Sequence, residues 1–135
     1  MISLQDQVIV ITGGSRGIGK AAAILMARAG ADIVFDFRRD ESAAEEVLVA
    51  IRQTGRRGIA VKGNIAEDAH CKELIDRTVR EFGRIDVLVN NAGIWTYGPI
   101  DEMPEDVWRD TIDVNLSGLV YCTRYAVQQL FPRAV

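Results

Sequence analysis

The sequence predicts an α/β fold in which a parallel sheet is covered by helices on both faces. Short β-branched runs alternate with longer segments of helical periodicity, and the connections between them are short. The first run, Val8–Ile11, is apolar at every position, which suits a strand buried on both faces. Strands that alternate with helices in this way require right-handed crossovers between parallel neighbours.

The alternation occurs four times along the chain. The predicted strands are Val8–Ile11, Ile33–Phe35, Ile59–Val61 and Val87–Val89. The predicted helices run from Ile18 to a stop at Gly30, from a cap at Asp40 or Ser42 to Gly55, from about Asp68 to Phe82, and from about Glu105 to Leu130. Ser42 and Glu45 have the spacing of a capping box, and Pro132 is expected to end the last helix.

Each of the first three helices has an apolar face that should pack on the sheet. The predicted faces are Ile18, Ala22, Leu25, Met26 and Ala29 in the first helix, Ala44, Val47, Leu48 and Ile51 in the second, and Cys71, Leu74, Ile75, Val79 and Phe82 in the third.

Composition restricts the function classes. The 135 residues are 48% hydrophobic and 26% charged, which is typical of one soluble domain, here residues 1–135. The net charge of -3 and the scattered basic residues argue against a nucleic-acid or anionic-membrane partner. No apolar run approaches the ~20 residues of a membrane helix, and the first residues lack a signal-peptide pattern, so a cytoplasmic location is expected.

A metal site is not expected. His70 is the only histidine, and the two cysteines, Cys71 and Cys122, form no CxxC motif. Two adjacent residues on a helix do not provide the ligand set that zinc requires. The simpler interpretation is a partly buried thiol in a reducing compartment.

A glycine-rich turn, Thr12–Gly19, connects the first strand to the first helix. Gly13 would let the chain turn sharply, Gly17 would let the backbone approach a pyrophosphate, and Gly19 would let the helix pack closely on the strand. The helix N-terminus would then present free N–H groups to phosphates. A loop that needs positive φ for its shape alone is the alternative.

The spacing of Thr12, Gly13, Gly17 and Gly19 resembles the TGxxxGxG motif of the short-chain dehydrogenase/reductase family. Three further segments match that family's motifs along nearly the whole chain: Asp86–Val89, the NNAG run at residues 90–93, and Val114–Leu116. Among members, the chain looks most like 3-oxoacyl-carrier-protein reductases and glucose-type dehydrogenases. The resemblance implies the N-terminal part of a Rossmann-type NAD(P)-binding sheet, about four strands in the order 3-2-1-4.

The resemblance also implies a nicotinamide cofactor. The family's NAD-selecting acid would fall at Phe37, and 2′-phosphate-binding cations at Arg38 and Arg16, so NADP(H) is expected in preference to NAD(H). Asp36 is counter-evidence, because it lies one residue from the selecting position. Alternatively, Arg38 and Arg39 only begin a solvated loop.

Further cofactor contacts follow from the same resemblance. Asn64 and Ile65 stand where the family has an Asp-Val pair at the adenine, and the Asn64 amide still offers a donor and an acceptor. The complete implied cofactor-binding set is Thr12, Gly13, Ser15, Arg16, Gly17, Ile18, Gly19, Arg38, Asn64, Ile65, Asn91, Ala92 and Gly93.

The family's catalytic Ser and Tyr-xxx-Lys are not found. Residues four positions after Tyr97, Tyr121 and Tyr125 are not lysines, so only Asn115 of the catalytic set is present. We therefore expect the truncated, cofactor-binding N-terminal part of an enzyme that transfers a hydride between nicotinamide and a carbonyl or alcohol. A catalytically inactive NADP(H)-binding module and a decayed remnant are the alternatives. Trp95 and Tyr97 are candidates for substrate contact or loop packing.

The predicted strand order leaves Val87–Val89 at an edge without a protecting Lys or Pro. Such an edge favours pairing with another chain. A homo-oligomer that associates through this edge or through the long last helix is therefore expected.

Overall fold

The computed structural model describes residues 2–131, which form one parallel sheet with helices on both faces. The strands are β1 (Val8–Ile11), β2 (Asp32–Phe37), β3 (Gly58–Lys62) and β4 (Val87–Val89). The helices are α1 (Gly17–Arg28), α2 (Glu41–Arg52), α3 (Asp68–Phe82), α4 (Glu105–Ile112) and α5 (Gly118–Leu130), with a π-helical turn at Asp113–Ser117 between the last two.

The strand order is β3-β2-β1-β4, as predicted. In the register, Ile9 of β1 lies opposite Ile33 of β2 on one side and Val87 of β4 on the other. All four residues of β1 are buried, so this strand is the centre of the core. The chain passes from β1 to β2 and β3 on one side of β1 and then crosses to β4 on its other side. Ligands of open α/β sheets bind beyond such a reversal of the strand order.

Two apolar clusters cover the two faces of the sheet. One joins the β1 and β2 side chains Ile9, Ile33 and Phe35 to helices α1 and α2. The other joins Val10 and Val34 to helices α3 and α5. The predicted faces of α2 and α3 lie in these clusters, as their periodicity indicated.

The predicted apolar face of α1 is wrong in part. Ile18 and Leu25 are 81% and 66% exposed. The residues fully buried in this helix are Gly19, Ala23 and Ala27. Their small size at a spacing of four allows the helix backbone to lie close to the sheet, which leaves no room for longer side chains on that stripe.

The cap of α2 is Asp40, and the capping box predicted at Ser42 is not formed. The Asp40 carboxylate accepts a hydrogen bond from the backbone N–H of Ala43 at 2.9 Å. Because the helix already begins at Glu41, Ser42 lies inside its first turn. Glu45 instead forms an ion pair with Arg52 at 3.0 Å.

The long helix predicted from about Glu105 to Leu130 is not a continuous α-helix. The π-helical turn at Asp113–Ser117 separates α4 from α5, and the sequence pattern did not predict it. A π-helical turn places one additional residue in the helix, which shifts the faces of the parts before and after it. Pro132, the predicted end of this helix, lies outside the described residues.

Both cysteines are fully buried, which corrects the expectation of a partly buried thiol. Cys71 donates a hydrogen bond to the carbonyl oxygen of Ile65 at 3.2 Å. Hydrogen bonding with Cys71, together with burial, raises the pKa of the Cys122 thiol well above its usual range. Among residues 2–131, no helix has the length and apolar character that crossing a bilayer requires.

Candidate cofactor-binding site

A cleft of about 650 Å³ lies at the carboxyl ends of the strands. It is formed by the segments that follow β1, β2, β3 and β4, together with the end of β2, the start of α1, and one residue from each of α2 and the π-helical turn. Its lining residues are Gly13, Ser15–Ile18, Asp36–Asp40, Ala43, Gly63–Ile65, Asn91–Ile94 and Val114. The volume falls within the range of typical small-molecule sites.

The glycine-rich turn forms one wall of this cleft. Gly13 and Gly17 have φ values of +68° and +54°, which residues with a Cβ rarely adopt. A Cβ at Gly17 would meet no atom within 4 Å, so this backbone faces open space. Helix α1 begins at Gly17, and no side chain caps its N-terminus. Its first N–H groups are therefore available to an anion.

Gly14 and Gly19 are required by packing. A Cβ at Gly14 would overlap the Phe35 side chain, with the ring carbon Cγ only 2.7 Å away. A Cβ at Gly19 would overlap the carbonyl oxygen of Gly13 and lie 2.6 Å from the Asn91 amide nitrogen. From the sequence, a role is predicted for Gly19 but not for Gly14. Nothing in the sequence indicates that the Phe35 side chain packs against Gly14.

Thr12 and Asn91 join the ends of β1 and β4. The Thr12 Oγ1 accepts hydrogen bonds from the backbone N–H groups of Asn91 and Ala92, both at 3.0 Å. The Asn91 amide donates to the carbonyl oxygens of Thr12 and Gly13 at 2.9 and 3.1 Å. Thr12 is 2% exposed and does not line the cleft. Both side chains therefore fix the backbone of the two walls.

Asp36 turns inward, away from the cleft mouth. It is 3% exposed, and its Oδ1 accepts a hydrogen bond from the N–H of Gly13 at 2.6 Å. Its Oδ2 lies 3.0 Å from Nε2 of the buried His70. The Gly14 N–H also donates to the backbone carbonyl of Asp36 at 3.1 Å. The acid that sequence reasoning weighed as an NAD-selecting group thus has both oxygens engaged with the protein.

Three arginines border the mouth of the cleft. Arg16, Arg38 and Arg39 are all exposed and line it. None of them has an ion-pair partner among residues 2–131. Phe37, at the position of the selecting acid, is 9% exposed and belongs to the apolar cluster on the α1 and α2 side. The mouth beyond β2 is therefore cationic.

The segment after β3 contributes Gly63, Asn64 and Ile65. The Asn64 Oδ1 accepts a hydrogen bond from the N–H of Ala66 at 3.1 Å, which forms a local turn. Its amide N–H₂ group makes no side-chain hydrogen bond within the described residues. Ile65 also borders the cleft and is 7% exposed.

Asn115 lies in the π-helical turn, and its amide is paired with the backbone of Ile94. The Oδ1 accepts from the Ile94 N–H at 2.7 Å, and the Nδ2 donates to the Ile94 carbonyl at 2.9 Å. Val114, its buried neighbour, lines the cleft, whereas Asn115 does not. The side chain of Asn115 therefore holds the segment that follows the NNAG run.

The structure brings eleven of the thirteen implied cofactor-binding positions to the wall of one cleft and places the other two behind it. Thr12 and Gly19 support the wall, and Asn91 lines it while its amide serves the backbone. Sequence reasoning missed the roles of Phe37, Arg39, Ala43 and Gly63, and it assigned none to His70. The positions of these residues depend on contacts between the segments that follow β2 and β3. No sequence motif predicts those contacts.

Comparison with known proteins agrees with the fold. The family model described as short chain dehydrogenase matches residues 7–134. A 3-oxoacyl-[acyl-carrier-protein] reductase from Synechocystis sp. is 42% identical over 96% of this chain and 52% of that protein. An L-rhamnose 1-dehydrogenase (NAD(P)(+)) from Sphingomonas sp. is 37% identical over 94% of this chain and 50% of that protein.

The solved structures lead to the same family. A short chain dehydrogenase from Burkholderia cenocepacia, crystallised in complex with NADP, superposes with a TM-score of 0.92 at 35% identity. The superposition covers 94% of this chain and 52% of that one. The chain thus spans about half the length of the relatives it matches. From its glycine-rich turn, its strand order and its match over residues 7–134, the chain belongs to the short-chain dehydrogenase family of oxidoreductases.

Proposed function

We propose that this chain is the NADP(H)-binding part of an oxidoreductase that transfers a hydride between nicotinamide and a carbonyl or alcohol substrate. One observation carries the choice of NADP(H) over NAD(H). Arg16, Arg38 and Arg39 are exposed at the cleft mouth. The buried acid at the end of β2, Asp36, binds Gly13 and His70 instead, and Asp40 caps α2. A ribose 2′-phosphate needs cations there, whereas a 2′-hydroxyl needs a free acid.

The residues present fit a dinucleotide. The N-terminus of α1 and the open backbone at Gly17 would hold the pyrophosphate, with Ser15 and Ile18 beside it. Arg16 and Arg38 would hold the 2′-phosphate, and Asn64 and Ile65 would border the adenine. Ala92 and Gly93, fixed through Thr12 and Asn91, would lie along the ribose.

The nicotinamide ring would supply hydride transfer, and this chain's residues would orient the reacting groups. We propose Asn115 as the one member of the catalytic set within this chain. Its amide holds the Ile94 backbone, so it would act by fixing the wall between the NNAG run and the last helix. Protonation of a substrate oxygen needs an acid, for which this chain supplies no candidate matching the Tyr-xxx-Lys pattern.

The experiment that tests this function compares NADPH and NADH binding by calorimetric or fluorescence titration. We expect tighter binding of NADPH. Replacing Arg38→Ala should weaken NADPH binding about 10- to 100-fold, because a charge-assisted contact contributes about 1.5–3 kcal/mol, and should leave NADH binding nearly unchanged. Arg80→Ala is the control, because Arg80 pairs with Glu73 on the outer surface of α3. Equal affinity for both cofactors in the unmodified protein would overturn the assignment.

Self-association is part of the proposal. The outer face of α4, the π-helical turn and α5 exposes large apolar side chains, among them Trp108, Ile112, Leu116 and Val120. The strand β4 lies at the edge of the described sheet. We propose that a second copy covers one of these surfaces. Sedimentation velocity tests this, and a monodisperse monomer at micromolar concentration would contradict it.

A further inference from the structure

A buried acid–base pair lies behind the glycine-rich turn. The side chains of Asp36 and His70 are 4% and 7% exposed, with Oδ2 of Asp36 3.0 Å from Nε2 of His70. The other carboxylate oxygen, Oδ1, accepts the N–H of Gly13 at 2.6 Å. The pair therefore connects α3, through the end of β2, to Gly13 of the turn at which phosphates would bind.

The position of His70 is fixed from its other side as well. A Cβ added at Gly63 would overlap the imidazole ring, so the glycine makes room for the ring against the segment after β3. Gly63 and Asp36 both line the cleft. The imidazole ring of His70 thus lies directly behind two segments of the cleft wall. Its hydrogen bond fixes the position of the Asp36 carboxylate, which accepts the Gly13 N–H.

The pair can exist in two charge states with the same hydrogen bonds. A neutral imidazole that carries its proton on Nε2 donates to the carboxylate and leaves one buried negative charge. An imidazolium donates the same bond and leaves no net charge. A buried negative charge beside an anion-binding cleft repels the anion, and poor screening strengthens that repulsion. An anionic ligand therefore favours the imidazolium form.

Few other groups near His70 change charge close to neutral pH. On its own helix, Cys71 donates to the Ile65 carbonyl, and Asp68 pairs with Arg124 and Tyr125 of α5. From α5, the Cys122 thiol stays protonated because its pKa is raised. Lys62 of β3 pairs with Glu41 at 2.6 Å, and Glu67 precedes the helix on the exposed side.

We propose that Asp36 and His70 are positioning residues for the glycine-rich turn, and that His70 takes up a proton when a dinucleotide phosphate binds. This inference rests on the proposed cofactor-binding function. It makes cofactor affinity fall as pH rises from 6 to 8, because at higher pH the bound state must acquire a proton that is scarcer in solution. The proton comes from the solvent and remains on the imidazole in the complex.

The test measures NADPH binding by calorimetry at pH 6, 7 and 8 in buffers of different ionisation enthalpy. For the unmodified chain we expect uptake of a fraction of a proton and an affinity that falls about tenfold over this range. His70→Gln is the matched variant, because its amide can still donate to Asp36 but cannot ionise. Its affinity should change less with pH, and the difference isolates His70 from the phosphate ester, which also titrates near pH 6.

A second readout uses the fact that His70 is the only histidine of the chain. In tag-free protein at pH 7, adding NADPH should move the ring Hε1 NMR signal toward the imidazolium position. In Asp36→Asn, where the partner carries no charge, the signal should stay near the neutral position. This variant reports on ionisation even if its affinity is reduced.

The outcomes separate the two proposals. Binding of NADPH with no proton uptake, or with the same pH profile in His70→Gln, overturns this inference and leaves the proposed function intact. An equal loss of affinity at every pH in His70→Gln also overturns it, because that is what a purely structural role predicts. No binding of NADPH at any pH overturns both.

Discussion

Thr12 and Asn91 each use their side chain to bind the other's backbone. Thr12 Oγ1 accepts two N–H groups, from Asn91 and Ala92, and the Asn91 amide donates to the carbonyls of Thr12 and Gly13. These residues lie just after β1 and β4, so the hydrogen bonds continue the strand pairing where the sheet ladder ends. The wall of the cleft is therefore held by four hydrogen bonds that involve no ligand.

We expect Thr12→Val to lower the free energy of unfolding by about 1–3 kcal/mol, because it keeps the shape but leaves two part-buried N–H groups without an acceptor. Urea denaturation measures this loss. The control is Thr78→Val, at a fully buried threonine whose hydroxyl bonds only to the Leu74 carbonyl of its own helix. It should cost less and should not affect NADPH binding. Equal effects of the two variants would contradict the role of Thr12.

Alanine variants at Gly17 and Gly55 distinguish the cost of backbone strain from steric interference with a ligand. Both have positive φ, +54° and +82°, and a Cβ at either would meet nothing within 4 Å. Alanine at each should therefore cost a similar amount of stability, about 1 kcal/mol. Gly17 lines the cleft and Gly55 does not, so only Gly17→Ala should weaken NADPH binding. Parallel denaturation and titration measure both effects, and unimpaired binding by Gly17→Ala would argue against close approach of a pyrophosphate.

Asn115→Ala should loosen the segment after the NNAG run. The variant removes both hydrogen bonds to Ile94, so hydrogen exchange at the Ile94 amide should accelerate and stability should fall by about 1 kcal/mol. Asn90→Ala is the control, because it removes one amide bond to Thr123 from the same segment without touching Ile94. Unchanged exchange at Ile94 in the Asn115 variant would show that the π-helical turn does not hold this segment.

Asp86 should contribute to the acid sensitivity of the fold. Burial acts to raise the pKa of its carboxyl, but hydrogen bonds from the Arg84 guanidinium and the Val8 N–H, with attraction to Arg84, lower it below the ordinary 3.8. A lowered folded value means that the stabilisation is present at neutral pH and is lost as pH falls through that value.

Asp86→Asn, which can still accept from Val8, should therefore be less stable than the unmodified chain above about pH 5, and the difference should shrink toward pH 3. Thermal unfolding at a series of pH values measures this difference. A difference that stays constant from pH 7 to pH 3 would show that the carboxylate charge is not the source of the stabilisation.

The fold was largely predictable because its local signals agree with one another. The apolar run of β1, the glycine turn and the periodic faces of α2 and α3 all point to the same parallel sheet. The prediction went wrong on the inner face of α1, where Ile18 and Leu25 were expected inside. Hydrophobicity alone ranks them above alanine, but the distance between helix and sheet admits only small residues.

The parts of the site at which a motif requires a particular backbone conformation could be predicted from the sequence. Contacts between side chains of distant segments could not. The glycines could be assigned because positive φ and close approach require them. The contact between Asp36 and His70 joins residues 34 positions apart, and neither residue type alone indicates it. The π-helical turn also had no sequence signal, since an added residue within a helix leaves the apolar spacing of the flanking turns nearly unchanged.

We expect the central strand β1 to pair with its two neighbours at different stages of folding. The partners Val8 and Asp86 lie 78 residues apart, whereas β1 and β2 are separated only by α1. Closing the longer loop costs more chain entropy, so β4 should join a β1–β2–β3 unit that has already formed. During synthesis, one side of β1 is therefore left without its partner until β4 emerges from the ribosome. Asp86→Asn should accordingly change the unfolding rate more than the folding rate, which stopped-flow kinetics can measure.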